Sequence, residues 1–207
     1  MIWSYKQWQK YGPQVLDPFS PEKVRKVEID GTLTPVLSYG TEVYGYTLSL
    51  GNSFEVMPYV SEDRKVLHYA DGVSWSHQQA VPMALDFGED ARYMQSYHVH
   101  NHKDLYVPRN SYVLGVSREY IKMPKNVVGI CLGKSTYARM GLSVNITPLE
   151  PGWKGWLTIE IMNNSCFDRP ARAGEGIAQL LFFGGDAEDE YNGNYQDQGC
   201  TPALAKV

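Results

Sequence analysis

The chain is poor in cysteine, has no long apolar run and carries no excess of basic residues, and each shortage removes a class of function. Its three cysteines, Cys131, Cys166 and Cys200, lie far apart and form no C-x-x-C pair. That excludes a disulfide framework and a cysteine-built zinc site, and a reducing cytoplasm is expected. No apolar stretch approaches the roughly 20 residues that cross a bilayer, and Met1 to Gln7 lacks the apolar core of a secretion signal. Neither membrane nor export is expected, so Asn145-Ile146-Thr147 and Asn163-Asn164-Ser165 read as chance matches to the glycosylation pattern. The formal net charge is −4, whereas a protein that neutralises many phosphates carries a basic excess. Nucleic acid is therefore not an expected partner; a small anionic ligand met by a few local cations is.

What is present fits one domain spanning residues 1–207, long enough to bury a full core. Trp3 to Tyr11 is expected to be an amphipathic helix with Trp3, Gln7 and Trp8 near one face, stopped by Gly12-Pro13. Leu16 to Pro21 reads as an extended, proline-pinned segment. Beyond it come short strands between Gly, Pro, Asn and Asp punctuation: Val43–Leu50, Phe54–Tyr59, Ser111–Val116, Val127–Cys131, Leu142–Thr147, Trp156–Met162 and Ile177–Phe183. Such a pattern predicts an all-β sandwich, jelly roll or barrel with small helical additions, one of them at Ser135 to Met140. The stretch around 60–104 is polar, aromatic and irregular, an elaborated loop or inserted hairpin.

Four constellations carry candidate chemistry. Gly129 to Ser135 approaches a phosphate-binding P-loop, but the motif needs a glycine at position 128, which holds Val128. Ser135 and Thr136 can still offer hydroxyls and N–H groups to an anion at a helix start, with Lys134 and Arg139 adding charge; a capped surface helix is the plain alternative. In Trp156 to Met162, alternation puts Leu157, Ile159 and Ile161 on one face and Trp156, Thr158, Glu160 and Met162 on the other. A carboxyl on a half-apolar face suits a group that takes and returns a proton, against the alternative of a surface glutamate or an ion pair. Pro148 to Trp153 is a turn holding Glu150 and Trp153, able to accept a sugar hydroxyl and pack on a sugar or base. Finally His98, His100 and His102 would share one strand face, a conceivable zinc site that nothing else supports; the H-x-E and P-C-x-x-C of zinc deaminases are missing.

Together these residues resemble the dCTP deaminase family of the dUTPase-like trimeric superfamily. Ile130 to Arg139 is similar to its G-[KR]-S-[ST]-x-x-R signature, Val144 to Trp153 to its nucleoside-binding turn, Trp156 to Asn163 to its catalytic strand and Glu175 to Leu180 to the motif after it. Weaker matches are Met1 to Ser4, Asp17 to Phe19, Ser38 to Gly40, Tyr44 to Tyr46 and Tyr195 to Gln198. The resemblance implies a mainly β, dUTPase-like distorted jelly roll or β-barrel with short helices. It implies a cytoplasmic homotrimer, bacterial or in a virus-infected host, with sites between subunits and deamination of dCTP to dUTP and ammonia.

On the same footing Glu160, Ser135 and Arg139 would be catalytic. Lys134, Ser135 and Thr136 would hold phosphates, Glu150 the sugar 3′-hydroxyl, Trp153 the nucleoside, and Thr158 and Ile159 the base. Tyr191, Asn194 and Gln198 would close over the phosphates. Magnesium would ride on the triphosphate, no zinc is expected, and dTTP is a possible inhibitor. Thr47 and Ser49 stand where the family usually has Asp and Arg, Asn194 stands where it has lysine, and the middle insertion is longer than usual. The alternatives are a dUTP pyrophosphatase or bifunctional enzyme, and a silent nucleotide-binding regulator.

Overall fold

The computed structural model describes residues 1–56, 78–80, 95–100, 104–186 and 189–204. Helix α1 (Tyr5–Val15) leads into β1 (Leu16–Asp17), a hairpin of β2 (Val24–Ile29) and β3 (Thr32–Thr41), and β4 (Tyr46–Val56). Then come β5 (Gln78–Ala80), β6 (Gln95–His100), β7 (Asp104–Val107), β8 (Tyr112–Lys122) and β9 (Val127–Gly133). Helix α2 (Ser135–Arg139) precedes β10 (Leu142–Asn145), β11 (Lys154–Asn163), β12 (Arg169–Arg172) and β13 (Gly176–Gly184). The mainly β expectation with short helices is met.

The principal sheet runs β10-β11-β8-β4-β13-β9, with neighbouring strands antiparallel throughout. Its two ends come back together. Gly129 of β9 exchanges both backbone hydrogen bonds with Leu149, each 2.8 Å, and a Cβ on Gly133 would lie 3.0 Å from the Cβ of Val144. Closure of this kind pairs polar backbone groups that an open edge would leave unsatisfied. Inside lie Tyr46, Leu48, Phe54, Ile159, Ile161, Leu180 and Phe182, all fully buried.

Helix α1 covers this core with Trp8, whose ring lies 4.7 Å from Phe182 and 5.6 Å from Tyr46. It does not stop at Gly12-Pro13 but runs to Val15. Pro13 falls in the last turn, where its missing N–H costs a single bond, and Gly12 serves packing: a Cβ there would fall 2.3 Å from the Phe19 ring. The β2–β3 hairpin was not among the expected strands. Its turn, Asp30-Gly31, has φ of 49° and 75°, the two positive angles a tight hairpin needs.

Two expected strands, Val43–Leu50 and Phe54–Tyr59, form one strand, β4, through Gly51 and Asn52; residues beyond Val56 lie outside those described. The strand survives because its register against β8 shifts between Leu50 and Phe54, and a Cβ on Gly51 would meet Val116 at 2.9 Å. β8 likewise continues past the expected Val116 to Lys122 by bulging: β11 pairs Trp156 with Tyr120, then Thr158 with Val116. Ser117, Arg118 and Glu119 thus face a single β11 residue, Leu157. β6 returns beside β4, with Val56 opposite Tyr97. Most of the stretch around 60–104 and all of His102 lie outside the described residues, as do the side chains of His98 and His100.

Candidate active site

The alternation expected of β11 is present. Leu157, Ile159 and Ile161 are buried, while Trp156, Thr158 and Glu160 are half-buried and Met162 is exposed. Glu160 therefore points away from the core, and the strand edge decides what reaches it. On one side β8 pairs continuously from Thr158 to Met162. On the other, β10 pairs only as far as Asn145 opposite Glu160. There the Asn145 amide donates to a Glu160 carboxylate oxygen at 2.8 Å. Sequence reasoning missed Asn145 because its partner is defined by cross-strand register, which residue types alone do not reveal.

Beyond Asn145 the free edge of β11 passes to the C-terminal segment. The Trp156 N–H donates to the Gln198 carbonyl at 3.1 Å, and Thr158 donates from N–H and hydroxyl to the Gln198 side-chain carbonyl at 3.3 and 3.1 Å. The Ala203 N–H donates to the Thr158 hydroxyl at 2.9 Å. Gly155 permits this approach, since a Cβ on it would lie 2.7 Å from the Gln198 nitrogen. The Thr158 N–H is thus an edge donor two residues before the catalytic candidate, held by a side chain that a base could displace.

The turn before β11 is Glu150-Pro151-Gly152-Trp153, closed by a 3.2 Å bond from the Trp153 N–H to the Glu150 carbonyl, with φ of 77° at Gly152. Pro and Gly at its two centres suit a type II turn. It leaves the Glu150 carboxylate exposed and buries Trp153 to 4% exposure. The Trp153 indole donates to the Tyr195 carbonyl at 2.7 Å. Tyr191 binds the same turn through its N–H to the Pro151 carbonyl at 2.8 Å, and its hydroxyl accepts from the Tyr195 N–H at 3.2 Å. Asn194 is exposed within this segment. Glu150, Trp153, Thr158, Ile159, Glu160, Tyr191, Asn194 and Gln198 accordingly belong to one neighbourhood.

Lys134, Ser135, Thr136 and Arg139 belong to another. Helix α2 enters β10 at Leu142, whose partner is Asn163, whereas Glu160 is opposite Asn145 at the far end. That offset is roughly 10 Å along the strand. Ser135 and Arg139 are exposed and Thr136 half-buried; among the described residues no hydrogen bond or ion pair joins them to Glu160. Lys134 is committed elsewhere, donating to the Ser38 carbonyl at 2.7 Å and to its hydroxyl at 3.2 Å. Its pKa is lowered, chiefly by burial, with Lys23 adding to the effect and Glu42 opposing it.

Thr47 and Ser49 also acquire places. The Thr47 hydroxyl donates to Glu42 at 3.0 Å. Ser49 donates to the buried Glu119 carboxylate from its N–H, at 3.0 and 3.2 Å, and from its hydroxyl at 2.7 Å. Thr47 and Ser49 therefore hold the interior of the sheet.

The family model described as dCTP deaminase-like matches residues 6–185. The chain is 34% identical over 197 residues to the dCTP deaminase of Psychrobacter, covering 95% of this chain and 89% of that one. It is 33% identical over 201 residues to that of Neisseria meningitidis, covering 95% and 92%. Among solved structures, the 2′-deoxycytidine 5′-triphosphate deaminase of Agrobacterium tumefaciens superposes with a TM-score of 0.52 at 13% identity, a likeness of fold. The match covers 89% of this chain and 48% of that one. Among the described residues no helix is long and apolar enough to cross a membrane.

Proposed function

Because the chain belongs to the dCTP deaminase-like family, we propose that it hydrolyses the exocyclic amine of dCTP, releasing dUTP and ammonia. The observation carrying this reading is the edge of β11, where the Thr158 backbone donor and the Glu160 carboxylate stand two residues apart, between Asn145 and Gln198. A cytosine held along that edge by Thr158 and Ile159 brings its C4 toward Glu160. Glu160 takes a proton from water as the oxygen bonds to C4 and passes it to the ring nitrogen, then relays the second proton, from the new C4 hydroxyl, to the departing amine. The C4–N bond breaks, ammonia leaves and the carbonyl of uracil forms. Asn145 steadies the carboxylate, and Glu150 and Trp153 receive the sugar.

Helix α2 offers hydroxyls and an arginine, donors for phosphate oxygens, and no carboxylate to hold a divalent cation. Magnesium would accompany the triphosphate, neutralising its charge. Since α2 and Glu160 do not meet within one chain, the site is completed by a neighbouring copy in a homotrimer, where Ser135 and Arg139 reach the water and Glu160. Gln198 then shifts from Thr158 and, with Tyr191 and Asn194, closes over the phosphates. Inhibition by dTTP would use the same site.

The test is incubation with magnesium and, separately, dCTP, dCMP and dUTP, following ammonia and pyrophosphate. Ammonia from dCTP alone is expected; no turnover of any of them overturns the proposal. Pyrophosphate appearing with it would assign the exposed Glu150 to water activation at the α-phosphate. Glu160→Gln is expected to lower turnover by about 10²–10⁴-fold with nucleotide binding still measurable.

A further inference from the structure

We propose that Ser117 is a positioning residue for the active strand: its hydroxyl sets the β8 bulge that fixes how Thr158 and Glu160 are presented. The inference rests on the function proposed above but uses an observation independent of it. Where Ser117, Arg118 and Glu119 bulge opposite Leu157, the Leu157 N–H has no backbone partner on β8. The Ser117 hydroxyl accepts from that N–H at 2.9 Å and donates to the Glu119 carbonyl at 2.7 Å. Ser117 is 1% exposed, so no water replaces it there. One hydroxyl thereby closes the bulge on itself and ties it to the residue just before Thr158.

The bulge moves the β11 register along β8 by two residues, placing Glu160 opposite Leu114. An even shift keeps every side chain on its face while changing twist and position, by about 7 Å along the strand. Bulges near sites re-aim side chains in this way. On the other flank of the same bulge, Glu119 accepts from Ser49 of β4, a bond on the side away from β11. Ser49 and Ser117 are thus two buried hydroxyls on one bulge, only one of which touches the active strand.

The experiment compares Ser117→Ala, Ser117→Thr and Ser49→Ala by thermal unfolding, by dCTP kinetics below every melting point, and by amide hydrogen exchange. Both alanine variants are expected to melt lower. Ser117→Ala should lose at least about tenfold in kcat/KM, the scale of one unsatisfied buried donor, with faster exchange at residues 157–160. Ser49→Ala should stay within about threefold of wild type, with exchange at 157–160 unchanged. Ser117→Thr, which keeps the hydroxyl, should regain most of the loss if it folds. Equal kinetic losses in the two alanine variants overturn the proposal. If the wild type turns over no dCTP, the function reading fails by itself and exchange decides: unchanged rates at 157–160 in Ser117→Ala overturn the positioning role.

Discussion

Replacing Glu119 by glutamine should make the protein more stable in mildly alkaline solution, although it removes a hydrogen-bonded carboxylate. Glu119 is 1% exposed, and its hydrogen-bonding partner in β4 is the neutral Ser49. Ser49 brings a hydroxyl and no charge, so this contact does not repay the burial of an ionised carboxylate. Burial pushes the Glu119 pKa from 4.5 to about 7, against the smaller opposing effects of the Ser49 hydrogen bonds and the Arg118 charge. Tyr46 shares the region and is itself pushed up to about 12, by burial first and then by Glu119.

A folded-state pKa above the unfolded value means that folding takes up a proton. The associated stability is complete below the unfolded value and is lost as pH rises through about 7. At about 1.4 kcal/mol per pKa unit, the loss is about 3 kcal/mol, most of it between about pH 5 and pH 8. For a chain of this size that corresponds to roughly 6–12 °C in melting temperature. Glutamine keeps a carbonyl to accept the Ser49 N–H and has no charge to bury. Thermal unfolding of both proteins across this range should give coincident melting points near the acid end and a glutamine variant several degrees more stable near the alkaline end. A difference that stays constant at every pH refutes the reasoning.

Other outcomes follow from the two-part site. Arg139→Ala and Glu160→Gln should each be inactive alone, yet a refolded equimolar mixture should recover about a quarter of wild-type activity, because a trimer with shared sites reunites intact halves in that proportion. No recovery would place both residues in the same subunit's site. Asn145→Ala should lower kcat about tenfold and change KM by less than about threefold, the signature of a group acting through Glu160; a change confined to KM would contradict it. Gly155→Ala, which sets a Cβ against Gln198, should speed amide exchange over residues 195–198 and weaken nucleotide binding. Exchange identical to wild type would show that the strand edge tolerates the methyl group.

Local chemistry made much of this fold legible. The period-2 pattern around Glu160 put the right residues on the right faces, and Pro151-Gly152 marked a turn whose angles match. Long-range geometry was hidden. The strands β4 and β8 run through apparent breaks because β4 bulges against β8 and β8 against β11, and a bulge is satisfied by groups distant in sequence, as Ser117 serves Leu157. Gly12-Pro13 looked like a stop because its packing partner, Phe19, lies outside any helical window. The site was legible as residue types and illegible as contacts. Asn145 reaches Glu160 through strand register, and Lys134, expected on phosphate, is engaged by Ser38 from another hairpin. The separation of α2 from Glu160 depends on which end of β10 each adjoins, and no local pattern encodes that.

The return of β6 beside β4 bears on how such a chain can change over time. With Val56 opposite Tyr97, residues far apart in the chain are held side by side, the two ends of a long covalent detour. The entropy of closing such a detour grows only as the logarithm of its length, about 0.6 kcal/mol for each doubling. The sheet therefore constrains the two ends of the intervening stretch strongly and its length weakly. This corner can gain or shed residues while Glu160 and its strand keep their register, leaving room for new sequence without renegotiating the chemistry.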